Sequence, residues 1–277
     1  MIEKIVQGMK LEEAEAEIQR IQTAHRLKLI DFWNIAIGTN VLEIGCGQGD
    51  TTAALAYTVG KEGFVHGIDI AQESYGLPMT LGEARQKLLD SEIGSNIRMD
   101  FNFNILADTV SFENESFDYI VLSKCSWYFS SYEELVAILK RVRPWGKKLC
   151  FAEWSTNVKI PEQLAHYNAI MIQALCESYK TISTSNVRTL FTPNKIKKAM
   201  SEAGWKVARD TEIYSPDLQD GVWEVNMTRS IYPKEIENIT DIPQKLKDLL
   251  LSQIEELSSV NKIAEIRPLS VYVVQAE

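Results

Sequence analysis

Three glycines at alternate positions, Gly45, Gly47 and Gly49, stand between the apolar run from Val41 to Ile44 and a polar helix start, with Glu43 two residues ahead of them. Glycines spaced in this way let a backbone turn tightly and approach a ligand closely, and a strand–loop–helix junction lies at the carboxyl edge where open α/β sheets bind ligands. Asp69 closes the next strand-like run, twenty residues after Gly49. A carboxylate at that place accepts hydrogen bonds from both hydroxyls of a bound ribose. Dinucleotide loops use G-x-G-x-x-G, with the third glycine beneath a pyrophosphate at the helix N-terminus. Here that position is Asp50, and an acid beside two phosphates is electrostatically unfavourable. The pattern therefore points to a nucleoside cofactor other than a nicotinamide or flavin dinucleotide.

VLEIGCGQG, residues 41–49, resembles the first motif of the class I methyltransferases that use S-adenosylmethionine: a hydrophobic pair, an acid, a hydrophobic residue, then G-x-G-x-G. The resemblance extends to Ser116-Phe117-Asp118-Tyr119-Ile120-Val121, which is similar to the family's fourth strand. It implies S-adenosylmethionine as cofactor and a seven-stranded sheet whose last strand is antiparallel. It also assigns Gly45, Cys46, Gly47 and Gly49 to the methionine part, Glu43 to orienting the loop and the cofactor's ammonium, and Asp69 with Ile70 to the ribose. Ser123, directly after the fourth strand, is placed against the methionine part. Where the family carries an Asp after the third strand for the adenine, this chain has Asn102 and Asn104; Asn104 with Ile105 is the expected adenine contact, and Asp108 is the competing assignment.

The acceptor side follows from the chemistry. Methyl transfer from a sulfonium is an in-line displacement, helped most by alignment and exclusion of water. Topology puts the residues after the fourth and fifth strands closest: Ser123, Lys124, Cys125, Ser126, Trp127, Tyr128 and Phe129, then Glu153 and Trp154. The aromatic side chains can wall an acceptor pocket or face the sulfonium, and since three neighbours cannot all point inward, Trp127 or Tyr128 is the expected functional one. Glu153 is the leading acid/base or acceptor-positioning candidate, with a salt bridge or helix cap as its structural alternative. His25 on the N-terminal helix is a catalytic candidate or a buried structural histidine; His166, Arg188 and Trp223 are candidates for lining the acceptor site, Arg188 through a substrate carboxylate or else as a helix partner. His66 lies inside a strand and reads as structural.

The elements that position these residues alternate. An amphipathic helix over Lys10–Trp33 is followed by strand-like runs at 41–45, 64–70, 97–105, 117–123 and 148–154, separated by helical stretches, which predicts a doubly wound, mostly parallel Rossmann-like α/β sheet. The segment AQESYGLPMTLGEARQKL is longer than a turn needs and should border the adenosine or the cap, or else form a surface loop. Beyond Trp154 a long amphipathic helix interrupts the rhythm. It resumes with a helix capped by Thr192 and Pro193 and ended by Gly204, and a second insertion from Ser215 to Pro268, including the Pro243-led helix QKLKDLLLSQIEEL, precedes the terminal strand LSVYVVQA. The expected organisation is one domain over 1–277: an N-terminal cap helix (1–37), a cofactor-binding core (38–156), and helical cap insertions at 157–190 and 215–268.

Composition narrows the partners. The formal charge of −9 repels phosphate backbones, and KIKKAM at 195–200 is too short a basic run to reverse this, so nucleic acid is not the expected substrate. No apolar run approaches the roughly 18 residues that span a bilayer, and the acidic, amphipathic start resembles neither a signal nor a transit peptide, so a cytoplasmic location is expected. Four scattered cysteines, at 46, 125, 150 and 176, contain no C-x-x-C pair, and no metal is expected. The absence of an Asn-Pro-Pro-Tyr run after the fourth strand, and Lys124 rather than Pro before Cys125, separate the chain from nucleobase-modifying relatives. The expectation is a methyltransferase acting on a small organic acceptor at an O, N or C atom, as a monomer or homodimer. The alternatives are a cyclopropane fatty acid synthase-like lipid-modifying enzyme and a non-catalytic S-adenosylmethionine-binding protein.

Overall fold

The alternating pattern resolves into a single sheet in the computed structural model, which describes residues 1–181, 183, 185–260 and 265–277. Helices α1 (Ile2–Met9) and α2 (Glu13–Trp33) lead into β1 (Asn40–Ile44), followed by α3 (Asp50–Val59), β2 (Phe64–Ile68), α4 (Leu81–Leu89) and β3 (Ile97–Asp100). The second half comprises β4 (Phe117–Ser123), α5 (Tyr132–Val142), β5 (Gly146–Trp154), α6 (Leu164–Glu177), α7 (Pro193–Glu202), β6 (Val207–Ile213), α8 (Asp220–Asn238), α9 (Gln244–Val260) and β7 (Val271–Ala276). The seven strands lie in the order β3-β2-β1-β4-β5-β7-β6. Neighbours from β3 to β5 are parallel, and β7 is antiparallel to both β5 and β6.

Burial explains why these runs are strands. From Val41 to Ile44 every residue of β1 is buried, as are all six of β7, the composition expected where helices cover both faces of a sheet. One apolar cluster gathers Leu42, Ile120, Leu122 and Phe151 under α5 and α7; the other gathers Val41, Val121, Cys150 and Val273 under α2 and α3. Trp33 anchors α2 in the second cluster, its indole N–H donating to the Val274 carbonyl at 3.0 Å while Gln275 donates back to the Trp33 carbonyl at 2.6 Å. Among the described residues no helix is long and apolar enough to cross a membrane.

Several boundaries differ from the sequence expectation. The N-terminal helix is two, because Lys10 takes a left-handed conformation (φ 50°) that ends α1. The third strand stops at Asp100 instead of continuing to 105: Asn102 (φ 51°) turns the chain, and Asn104 lies on a loop. Helix α8 runs through Pro233, a residue that ordinarily interrupts a helix, and is not expected from the sequence pattern. The insertions at 157–190 and 215–268, of which 182, 184 and 261–264 lie outside the described residues, contribute α6, α8 and α9. These pack on one another around a third apolar cluster that includes Ala169, Ile172, Val225, Ile236, Leu250 and Leu257.

His166 fastens this cap to the sheet. Its Nδ1 accepts the Leu269 N–H at 3.0 Å, and Gln163 donates to the Pro268 carbonyl at 2.9 Å, so α6 is tied to the chain entering β7. Complete burial holds the His166 imidazole neutral, its pKa lowered from 6.5 to about 3. The unfolded chain protonates near pH 6.5, so the stability linked to this ring is fully present above that pH and is lost as pH falls towards 3. His166→Gln should therefore flatten the acid limb: between pH 6.5 and 4, urea titrations should show the wild type losing on the order of 1–3 kcal/mol more than the variant. Equal acid slopes would show that the ring is not held neutral.

Candidate active site

The loops after β1, β2 and β4 open onto a cavity of about 730 Å³, within the roughly 300–1,000 Å³ usual for ligand sites. Glu43, Gly45, Cys46, Gly47, Asp69, Ile70, Asn104, Ile105 and Ser123 line it together with His25, Tyr128 and Arg188. The first group comes from the sheet edge and the second from α2, the turn after β4 and the segment before α7.

The glycine loop is fixed from beneath. Asp69 Oδ2 accepts the Gly47 N–H and Oδ1 accepts the Ala71 N–H, both at 2.9 Å, so one carboxylate sets the loop after β1 and the chain after β2. Each oxygen keeps a lone pair for a ribose hydroxyl. Gly47 sits at φ 52°, and an added Cβ would find no atom within 4 Å. The backbone there is bare towards the cavity, the shape required where a ligand lies directly against the chain. These features fit S-adenosylmethionine: a carboxylate at the end of β2 with lone pairs to spare, a bare loop, and Asp50 where a dinucleotide loop has its third glycine. Gly49 does something else. It caps α3 at φ 87° and a Cβ would strike Leu88 at 2.5 Å, so it allows α3 to pack on α4 and β3 and does not line the cavity, contrary to its expected cofactor contact.

Burial pushes the Glu43 carboxyl up to about 8, against the Thr52 hydroxyl that donates to it at 2.5 Å. Asp50, in the third-glycine position, is held by Arg26 (2.9 Å) and Gln19 (3.3 Å) of α2. Thus the acid that excludes a pyrophosphate also clamps a helix over the loop. Gln22, His25, Arg26 and Leu29, spaced three and four apart, form the face that α2 turns to the cavity. Gln22 and Arg26 were not anticipated as site residues, although that spacing was readable. Tyr75 and Leu81 bring the long loop after β2 to the cavity, and Asn104 lines it while Asp108 does not. The Asn104 side-chain oxygen accepts the Leu106 N–H at 3.0 Å, fixing its orientation.

On the acceptor side four expectations need correction, because Glu153, Trp127, His166 and Trp223 do not line the cavity. Glu153 is buried and accepts from the Ser126 hydroxyl (2.7 Å) and the backbone N–H groups of Trp127 (3.3 Å) and Trp154 (3.0 Å). Its oxygens brace the turns leaving β4 and β5, although burial pushes its pKa up. Trp127 is a core residue whose indole donates to the Phe191 carbonyl at 3.3 Å. His166 faces Leu269 and packs edge-on against Trp154 with centroids 4.8 Å apart. Trp223 is exposed on the outside of α8.

His25 and Tyr128 do reach the cavity. Burial, followed by the nearby Lys124 cation, lowers the His25 pKa to about 3, so the ring is neutral at physiological pH; Nδ1 lies 3.0 Å from Ser215 Oγ. Burial raises the Tyr128 hydroxyl above its ordinary value, so it is a protonated donor. Lys124, directly after Ser123, donates to Asp220 at 2.7 Å, and Gln22 reaches the same carboxylate at 3.2 Å. Burial alone would raise Asp220, but Lys124 and the Gln22 bond outweigh it and hold the carboxyl well below the usual range. Cys125 is a buried thiol that donates to the Ile44 carbonyl at 3.2 Å, and burial pushes its pKa well above the ordinary value.

Residues 35–204, more than half of the chain, match a family model described as a methyltransferase domain. The chain is 32% identical to a cyclopropane-fatty-acyl-phospholipid synthase-like protein of Lactobacillus casei, with a TM-score of 0.88 over 99% of this chain and 98% of that one. It is 27% identical over 228 residues to the methyltransferase phomM' of Diaporthe leptostromiformis, covering 68% of this chain but 58% of that relative's length. It is 26% identical over 181 residues to the demethylmenaquinone methyltransferase of Shouchella clausii, covering 62% of this chain and 73% of that one. Asp69→Ala should weaken S-adenosylhomocysteine, read by calorimetry, by about 1–3 kcal/mol through unpaired ribose hydroxyls and a loosened Gly47. An unchanged affinity would put the ribose elsewhere. The family match, the full-length likeness and the seven-stranded topology agree: the chain belongs to the S-adenosylmethionine-dependent methyltransferases.

Proposed function

We propose that this enzyme moves a methyl group to a small organic acceptor, at an O, N or C atom, bound between the glycine loop and the helical cap. The observation carrying the proposal is that one cavity has the cofactor-type lining of Gly45, Gly47 and Asp69 on the sheet side and His25, Tyr128 and Arg188 on the other. S-adenosylmethionine supplies an electrophilic methyl group on a sulfonium. The chain supplies position and dryness. Asp69 and the loop set the cofactor's place, and the Gln22–Leu29 face of α2 roofs the site and excludes water. His25, neutral, and Tyr128, protonated, are hydrogen-bonding groups that orient an acceptor; neither needs to ionise for an acceptor that arrives as a nucleophile.

One observation favours a second reading. The Lactobacillus casei protein, similar along its whole length, is named as cyclopropane synthase-like. The lining itself is mixed, with Gln22, His25, Lys124 and Arg188 beside Leu29, Phe103, Leu106, Phe129 and Ile138, which suits a small acceptor with polar and apolar parts.

A trideuteriomethyl cofactor separates the two. Incubation with a metabolite extract and with vesicles of unsaturated phospholipid should give a water-soluble product that retains all three deuterons, detected by mass spectrometry. A lipid product retaining two would establish methylene insertion and overturn the small-acceptor proposal.

A further inference from the structure

Three cations line the cavity, and two are already neutralised. Arg26 is paired with Asp50 at 2.9 Å and Lys124 with Asp220 at 2.7 Å. Arg188 has no ion pair among the described residues. Its place is nevertheless well defined. The backbone N–H groups of Arg188 and Thr189 both donate to the Trp127 carbonyl, at 2.8 and 3.1 Å, which pins this segment to the turn after β4 at the ligand edge of the sheet. Its Nε donates to the Ser185 carbonyl at 3.2 Å, and the guanidinium carbon lies 5.9 Å from the centre of the Tyr128 ring. The two terminal nitrogens have no hydrogen-bond partner among the described residues, and the side chain is only half exposed.

A guanidinium fork that is anchored at one nitrogen, braced on an aromatic ring and unused at its tip is suited to a planar or tetrahedral oxyanion, which it grips through two parallel N–H donors. Tyr128, whose ring lies beside the guanidinium and which also lines the cavity, offers its hydroxyl as a third donor. Resting on the methyltransferase reading of this cavity, we propose that the acceptor carries an oxyanion, a carboxylate or a phosphate, and that Arg188 with Tyr128 binds that group and so selects the acceptor. The anion would also offset the charge of Arg188, which otherwise sits partly desolvated.

The test uses the full-length protein saturated with S-adenosylhomocysteine, titrated calorimetrically with benzoate, hexanoate and inorganic phosphate, and with benzamide and hexanamide as uncharged counterparts. At least one anion should bind, more tightly than its amide by about tenfold or more, and Arg188→Gln should abolish that preference with S-adenosylhomocysteine affinity unchanged. Arg188→Lys should recover only part of it, because a point charge lacks the fork. Whether the acids or phosphate bind identifies the class. If no anion binds the saturated protein, or if Arg188→Gln binds it equally well, the proposal is overturned. Failure of S-adenosylhomocysteine itself to bind the wild type would instead overturn the cofactor reading beneath it.

Discussion

Everything at the site depends on one topological constraint. β1 and β4 are parallel neighbours at the centre of the sheet, but the chain leaving β1 travels outward through β2 and β3 before it returns to β4. The loops that follow the two central strands therefore lead in opposite directions, and a cleft opens between them at their carboxyl ends. The strands approach so closely there that a Cβ on Gly45 would lie 2.5 Å from that of Cys125. The glycine is needed because the loop after β1 must pass over the turn after β4 before turning away to α3.

The two walls of the cleft are built on different principles. The wall proposed for the cofactor is backbone held by three acids: Asp69 bonds two loops, the buried Glu43 bonds Thr52, and Asp50 holds the roof helix through Arg26. The wall proposed for the acceptor is made of side chains from three distant parts of the sequence, α2, the turn after β4 and the segment before α7. A backbone wall suits a ligand common to the whole family, and a side-chain wall suits a partner that differs from one relative to another.

This division decides how much was legible in the sequence. Gly45, Gly47 and Asp69 are local: their spacing along one strand–loop–helix unit and the strand after it determines where they meet, and the same alternation gave the parallel α/β sheet, while the antiparallel last strand came from the family resemblance. Glu153 was misread because its position at the end of an inner strand is correct, yet which way a carboxylate turns depends on donors such as Ser126 that only the folded turn brings near. Trp127 and Tyr128 are adjacent and alike in type; the short helical turn at 126–128 buries the first and presents the second. Gly49 kept its motif position but serves helix packing. Lys124 and Asp220 stand ninety-six residues apart and join through tertiary structure alone, beyond the reach of any periodicity.

That last pair also sets the character of the seam between cap and core. Gln22, Lys124 and Asp220 meet there through charge and hydrogen bonds, beside the apolar contact that Ile170 and Tyr167 of α6 make with the core under the sheet. Deleting one partner would strand a buried charge, whereas moving the cap as a unit returns both partners to water, which recovers most of their lost hydration. An apolar seam of equal size would gain nothing from water and would resist separation. This contact is thus firm against substitution and yields to separation more readily than an apolar one.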